Sequence, residues 1–245
     1  MRNIKLILEY EGTNYHGWQV QPDVTTIQGT IQDNIKKILG EDVTLTAAGR
    51  TDSGVHAFQQ VCNFETGSSI PALAIMNGLN SHLPGDIVAK SCQDVDSDFH
   101  ARRNVSSKTY KYLLISRNFP SSIYRNFSWA LYYKLDLEAM AEGAGLFLGE
   151  KDFSSFRASG CGARHAIRSI DQFSIDTASD GFINLEVKGK AFLRHMVRIM
   201  VGTLVDLGRG KISISELKEI IDAKDRTLAG QTAPPQGLFL KEVTY

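Results

Sequence analysis

The sequence predicts an α+β fold built from two tandem β-α-β-β-α-β halves. Three observations support this: stretches of period-two alternation are interleaved with stretches of helical period, the same element order occurs twice, and turn and cap residues separate the elements. In the first half, Ile4, Leu6, Leu8 and Tyr10 alternate as in a half-buried strand. Thr25-x-x-Gln28 has the form of a capping box, after which Ile27, Ile31, Ile35 and Ile38 share one helix face that stops at Gly40. Residues 43–47 and 57–64 read as two strands around a polar loop. Pro71 suits the first turn of a helix running to about Leu83, and residues 87–95 supply the closing strand.

The second half repeats the order. Residues 108–116 read as a strand, with Tyr110 and Tyr112 facing one side and Lys111 the other. Asp136 caps a helix with Leu137, Met140, Ala144 and Phe147 inward. A hairpin joins residues 167–176 to residues 182–190 through Ser179-Asp180-Gly181. Leu193, Met196, Val197, Met200, Val201, Leu204 and Leu207 recur at helical spacing until Gly208, and Arg194 and Arg198 share a face of that helix. Ser213-x-x-Glu216 is the capping box of a short extra helix, and residues 237–243 form the last strand. The expected halves are residues 1–104 and 105–245, both of ferredoxin-like order, with a central cleft as the natural place for a site.

Composition narrows the class. A chain of 245 residues with 42% hydrophobic content can bury a substantial core. Its apolar runs are far short of the roughly 20 residues that span a bilayer, and Met1-Arg2-Asn3 opens no signal-peptide hydrophobic region. A soluble, cytoplasmic protein is expected. Cys62, Cys92 and Cys161 are widely spaced and form no C-x-x-C pair, so they read as small apolar filler. The formal net charge is +0, yet basic residues cluster. Residues 98–125 hold Arg102, Arg103, Lys108, Lys111, Arg117 and Arg125 against Asp98 alone, and residues 188–211 hold Lys188, Lys190, Arg194, Arg198, Arg209 and Lys211 against Asp206 alone. Brought together, these segments would attract phosphates; taken separately, each is an ordinary solvated face.

Several chemistries find no support. The six histidines show neither H-E-x-x-H nor H-x-H spacing, so no metal site is expected. Gly208-Arg-Gly-Lys211 has Val205 and Ile212 where a phosphate loop needs Gly and Ser or Thr, and Gly160-Cys-Gly162 lacks the third glycine of a dinucleotide loop. Neither ATP nor NAD is expected, and no other cofactor. What remains is Gly49-Arg-Thr-Asp-Ser-Gly-Val-His-Ala57, a polar loop with glycines between two apolar strands. Glycines permit tight turns that offer a short side chain such as Asp52 to a cleft, and Arg50 could hold a carboxylate ionised or bind phosphate. The alternative is an Asx-turn, in which Asp52 hydrogen-bonds its own loop.

This loop resembles the signature of the TruA family of tRNA pseudouridine synthases. Further similar segments lie along nearly the whole chain: Tyr10-Glu-Gly12, Tyr15-His-Gly-Trp-Gln19, Asp98-Phe-His-Ala-Arg102, Lys108-Thr-Tyr-Lys-Tyr112, Phe192-Leu-Arg-His-Met-Val-Arg198 and Ala233-Pro-Pro-Gln-Gly-Leu238. The resemblance implies the pseudouridine synthase fold, a pseudo-symmetric pair of ferredoxin-like halves. It implies isomerisation of uridine to pseudouridine at positions 38, 39 and 40 of the tRNA anticodon stem-loop, by a homodimer. Asp52 matches the catalytic aspartate, Arg50 a residue that helps flip the target base, and Tyr110 the aromatic that stacks on the flipped uracil. Arg198 matches an arginine paired to the catalytic carboxylate, and Leu238 an apolar residue lining the pocket. Lys190-Ala191 replaces a glycine-containing approach to Phe192, and Ile199 stands where asparagine is common.

The implied reaction detaches uracil at N1, rotates it and rejoins it to ribose through C5, which asks for one carboxylate and a dry pocket. Attack on C1′, removal of the 2′ proton and addition to C6 each use a single aspartate. The base must also leave its stack to be reached. Three rival readings start from the same elements. An RRM-like RNA-binding module shares the strand order, but residues 107–112 lack its aromatic signature. A nucleoside hydrolase would need a second carboxylate, absent from the loop. A purely structural ferredoxin-like dimer leaves the polar loop and the basic segments without a role.

Overall fold

The computed structural model describes residues 1–178 and 181–245, so Ser179 and Asp180 of the expected hairpin turn lie outside the described residues. The architecture is α+β. The chain packs as two compact units, Met1–Ser106 with Phe239–Tyr245, and Ser107–Leu238.

In the first unit the elements are β1 (Arg2–Tyr10), α1 (Ile27–Leu39), β2 (Thr46–Ala47), β3 (His56–Thr66), α2 (Ala72–His82) and β4 (Ile87–Val95). Strand β1 runs antiparallel to β3 and to β4, with Leu6 opposite Cys62 on one side and Cys92 on the other. The alternation anticipated in β1 is the core pattern: Ile4, Leu6 and Leu8 have no exposed surface. Ile27, Ile31 and Ile35 of α1 are buried as well, each worth about 1.5–3 kcal/mol of transfer free energy.

Two local expectations shift. The N-cap of α1 is Thr26 rather than Thr25; its side chain accepts from Gly29 N, and Gly40 closes the helix in the left-handed conformation. Gln28 takes no part in a cap. It is buried, donates through Nε2 to Leu45 O (3.1 Å) and accepts from Val20 N (3.2 Å). That bond also explains why β2 has two residues instead of the five expected at 43–47: the Leu45 carbonyl is bonded to α1, and only Thr46 and Ala47 pair with Asn63 and Cys62.

In the second unit, β5 (Ser107–Ser116), α3 (Leu137–Gly145), β8 (Ile167–Thr177), β9 (Phe182–Gly189) and α4 (Met196–Gly208) follow the anticipated order. Strand β9 lies antiparallel between β5 and β8. Asp136 caps α3 by accepting from Ala139 N (2.9 Å), and the Ser213–Glu216 capping box opens α5 (Ile214–Ala223). Two short strands have no periodic signal: β6 (Trp129–Leu131), parallel to the end of β5, and β7 (Gly149–Asp152), a polar edge segment on β8. Phe147 lies beyond the end of α3 yet is fully buried, with ring centroids 5.0 Å from Phe156 and 5.9 Å from Phe173. Such aromatic packing adds about 0.5–1.5 kcal/mol per pair beyond area burial.

Helix α4 begins at Met196, not at Leu193. His195 precedes it with φ 59, a left-handed conformation that ends any helical run from the residues before it. Arg194 therefore lies outside the helix, exposed, with Nη1 donating to Ser159 O (3.2 Å), and does not share a helix face with Arg198. The last strand, β10 (Leu238–Thr244), returns to the first unit, where Phe239 and Leu240 pair in parallel with His56 and Ala57. Among the described residues no helix is long and apolar enough to cross a membrane.

Candidate active site

The outer edge of β3 is shared. Strand β10 covers its start at His56 and Ala57, β2 covers Cys62 and Asn63, and the hairpin ladder between β2 and β3 reaches Ala48, whose N–H donates to Val61 O (2.8 Å). Residues 49–55 then leave the sheet as the polar loop. Val55 N donates to Asp52 O (3.1 Å), closing a turn with Gly54 at φ 76 in its third position, so Asp52 is the turn's first residue. Asp52 is half-buried, Arg50 exposed and Thr51 buried.

The segment between β1 and α1 presses on this loop. Trp18 N donates to Thr51 O (3.0 Å), and Tyr15 O accepts from Gly54 N (3.3 Å) and from Ser53 Oγ (3.1 Å). Tyr15 is fixed in turn through its hydroxyl, which donates to Asp86 Oδ1 at 2.6 Å; burial, then that carboxylate, push its phenol above the usual range. Two glycines make the approach possible. A Cβ at Gly12 would collide with the Val55 carbonyl oxygen. At Gly17, which has φ +85, a Cβ would stand 2.8 Å from Thr51 O and 3.1 Å from both Asp52 C and Ser53 N. Below the loop, Gly12 N donates to His56 Nδ1 (3.0 Å), and the buried His56 ring stacks on Phe239 with centroids 4.8 Å apart. In the sequence Gly12 and Gly17 stand out only within the segments Tyr10-Glu-Gly12 and Tyr15-His-Gly-Trp-Gln19; their bearing on Asp52 comes from backbone proximity.

Tyr110, Arg198 and Leu238 belong to the second unit. Tyr110 and Tyr112 are both buried on β5, while Lys111 between them is half-exposed. The Tyr110 ring meets Phe192 edge-on, centroids 5.0 Å apart. Arg198 projects from the first turn of α4, half-buried; its Nε donates to Ala233 O (2.8 Å) and its own carbonyl accepts from Ala233 N (3.0 Å). The next residue, Pro234, accepts from the Tyr112 hydroxyl at 2.7 Å, and burial pushes that phenol up against the opposing pull of the Arg198 charge. The 233–238 segment thus locks the base of the Arg198 side chain to β5 and ends at Leu238, which is 5% exposed. Ile199 is fully buried in α4.

The basic residues divide in the same way. Arg102 and Arg103 are exposed in the first unit, with both backbone N–H groups donating to His100 Nδ1. In the second unit Lys190, Arg194, Arg209 and Lys211 are exposed, Arg209 lies over the Tyr133 ring at 4.1 Å, and Lys211 pairs with Asp206 at 2.9 Å. A polar groove of about 540 Å³ in the first unit, lined in part by Asp42, Glu65, Asp98 and His100, contains no residue of the 49–55 loop.

A family model described as tRNA pseudouridine synthase matches residues 6–103 and 144–245. Over 245 residues, covering 100% of both chains, the sequence is 47% identical to "tRNA pseudouridine synthase A" of Thermoanaerobacter sp. (strain X514). With the same coverage it is 49% identical to the protein of that name in Acetivibrio thermocellus and 45% identical to the one in Ruminiclostridium cellulolyticum.

Proposed function

Because the chain belongs to the tRNA pseudouridine synthase family, we propose that it isomerises uridine to pseudouridine at positions 38, 39 and 40 of the tRNA anticodon stem-loop, with Asp52 as the catalytic carboxylate. The observation that carries this reading is the full-length likeness to relatives of that name. A loop held by hydrogen bonds and close backbone contacts around a half-buried aspartate supports it.

The chemistry is internally balanced. The N1–C1′ bond breaks, a C5–C1′ bond forms, C5 gives up its proton and N1 takes one, with no oxidation and no atom from outside except the exchanged proton. Whether the carboxylate attacks C1′, takes the 2′ proton or adds to C6, one correctly placed aspartate is the group required. Arg50, exposed two residues before Asp52, is the base-flipping arginine in this reading. Tyr110 is the platform under the flipped uracil, Arg198 a charged site residue whose Nε is anchored on Ala233, and Leu238 an apolar wall. By chain order the half carrying the loop is residues 1–104 and the half carrying Tyr110 and the basic helix is residues 105–245, although the closing segment Phe239–Tyr245 packs in the first unit. The working enzyme is a cytoplasmic homodimer that needs no metal or organic cofactor.

The test is nucleoside mapping of tRNA before and after incubation with the protein. Conversion of uridine to a nucleoside of unchanged mass at positions 38–40 is expected; an unchanged anticodon stem-loop, or conversion elsewhere in the tRNA, would contradict the reading.

A further inference from the structure

A buried polar chain joins the 49–55 loop to the sheet, and the chemistry above makes no use of it. Gln60 lies in β3 with no exposed surface, among Val61, Cys62 and Phe64, which are buried too. Its Nε2 donates to Gly49 O at 2.9 Å and reaches the Tyr10 hydroxyl at 3.4 Å. Tyr10 ends β1, 3% exposed, and its hydroxyl stands 2.8 Å from Thr51 Oγ1. Burial pushes the Tyr10 phenol up, so it stays protonated, and its oxygen, which accepts from Gln60, shares one hydrogen bond with the Thr51 hydroxyl in which either group can donate.

Polar groups in such a position are costly for stability alone. Buried amides and hydroxyls lose hydration, a partly satisfied network is poorer than an apolar core, and Gln60 Oε1 has no partner among the described residues. What the chain secures is local: it grips Gly49 and Thr51, while Trp18 N grips the Thr51 carbonyl next to Asp52. We propose that Tyr10, Thr51 and Gln60 are positioning residues, a hydrogen-bonded chain from β1 and β3 that fixes the backbone on the N-terminal side of Asp52 and so sets where its carboxylate meets the ribosyl uracil. This rests on Asp52 being the catalytic group. A displacement of about 1 Å at a reacting group costs on the order of a hundredfold in rate, so hydroxyls that hold the loop act on the chemical step rather than on affinity.

The experiment measures kcat and KM on a tRNA transcript for Tyr10→Phe, Thr51→Val, Thr51→Ser and Asp52→Asn, at a temperature well below each variant's Tm. Tyr10→Phe and Thr51→Val should lower kcat by about ten- to a hundredfold with KM nearly unchanged, and Thr51→Ser, which keeps the hydroxyl, should restore most of the rate. The double variant Tyr10→Phe/Thr51→Val should be about as slow as the slower single, because both remove one hydrogen bond. A folded Tyr10→Phe with full kcat beside an inactive Asp52→Asn would overturn the positioning role alone. So would a rise in KM at constant kcat, or a Thr51→Val loss that serine does not rescue. Turnover by Asp52→Asn would overturn the role of Asp52 and the positioning role together.

Discussion

Gly17→Ala tests the dependence of activity on loop placement with a single methyl group. The new Cβ would lie 2.8 Å from Thr51 O and 3.1 Å from Asp52 C and Ser53 N, where ordinary carbon contacts need about 3.3–3.6 Å. The loop must retreat by roughly half an ångström over three consecutive residues, because the other side of the contact is backbone held by Ile27 N on Gly17 O. If 1 Å of misplacement is worth about a hundredfold, half of that is worth about tenfold in kcat. The positive φ of +85 adds about 1–2 kcal/mol of strain, a fall in Tm of about 2–8 °C for a chain of this length. Gly40→Ala is the control, since Gly40 has φ +74 and no atom within 4 Å of the added Cβ. It should show a similar loss of Tm and no loss of kcat. Tritium release from tRNA carrying 5-tritiated uridine reports turnover, and thermal unfolding reports stability. Equal kcat in Gly17→Ala and Gly40→Ala would refute the claim that this backbone contact sets the position of Asp52.

Three further outcomes are expected. Arg198→Ala should lose about 1.5–3 kcal/mol of transition-state stabilisation, and Arg198→Lys should recover little because it lacks the Nε bonded to Ala233 O and the planar fork; near-normal turnover in Arg198→Ala would mark a structural arginine. Tyr110→Phe should bind tRNA nearly normally, any loss of turnover then belonging to the hydroxyl, whereas Tyr110→Ala should lose about 1–3 kcal/mol of binding together with turnover. If Tyr110→Ala instead lowers Tm while its folded fraction turns over normally, the ring is core against Phe192. Reversing the exposed Arg102 and Arg103 to Glu should flatten the plot of log affinity against log salt by roughly 0.7–0.9 per lost phosphate contact, and an unchanged slope would place the RNA elsewhere.

The fold is legible in the sequence wherever burial imposes a period. The alternation of Ile4, Leu6 and Leu8 and the Ser213–Glu216 capping box are both local signals that survive into the structure unchanged. Where long-range contacts decide, local reading slips. Val43 and Leu45 are buried on either side of an exposed Thr44, yet a side chain from α1 bonds the Leu45 carbonyl and the strand shrinks to Thr46–Ala47. Leu193 and Met196 keep helical spacing across a left-handed His195, which no periodicity reveals. At the site, the loop stands out by composition, and the choice of Asp52 within it comes from resemblance. The network behind the loop has a faint signal in hindsight: Gln60 interrupts a strand whose next residues are Val61 and Cys62, and a buried amide there needs partners. Its partners Gly49 and Tyr10, 11 and 50 residues away, are set by tertiary packing and have no signature in spacing.

The central claim is that Asp52 performs the isomerisation, and the most direct measurement is tritium release from 5-tritiated uridine in tRNA by Asp52→Asn beside the unaltered protein, with tRNA affinity measured in parallel. The substitution keeps size while replacing one carboxylate oxygen by an amide NH2 and removing the charge, so tRNA binding should persist while release falls to background. Release at an appreciable fraction of the unaltered rate would remove Asp52 from the mechanism.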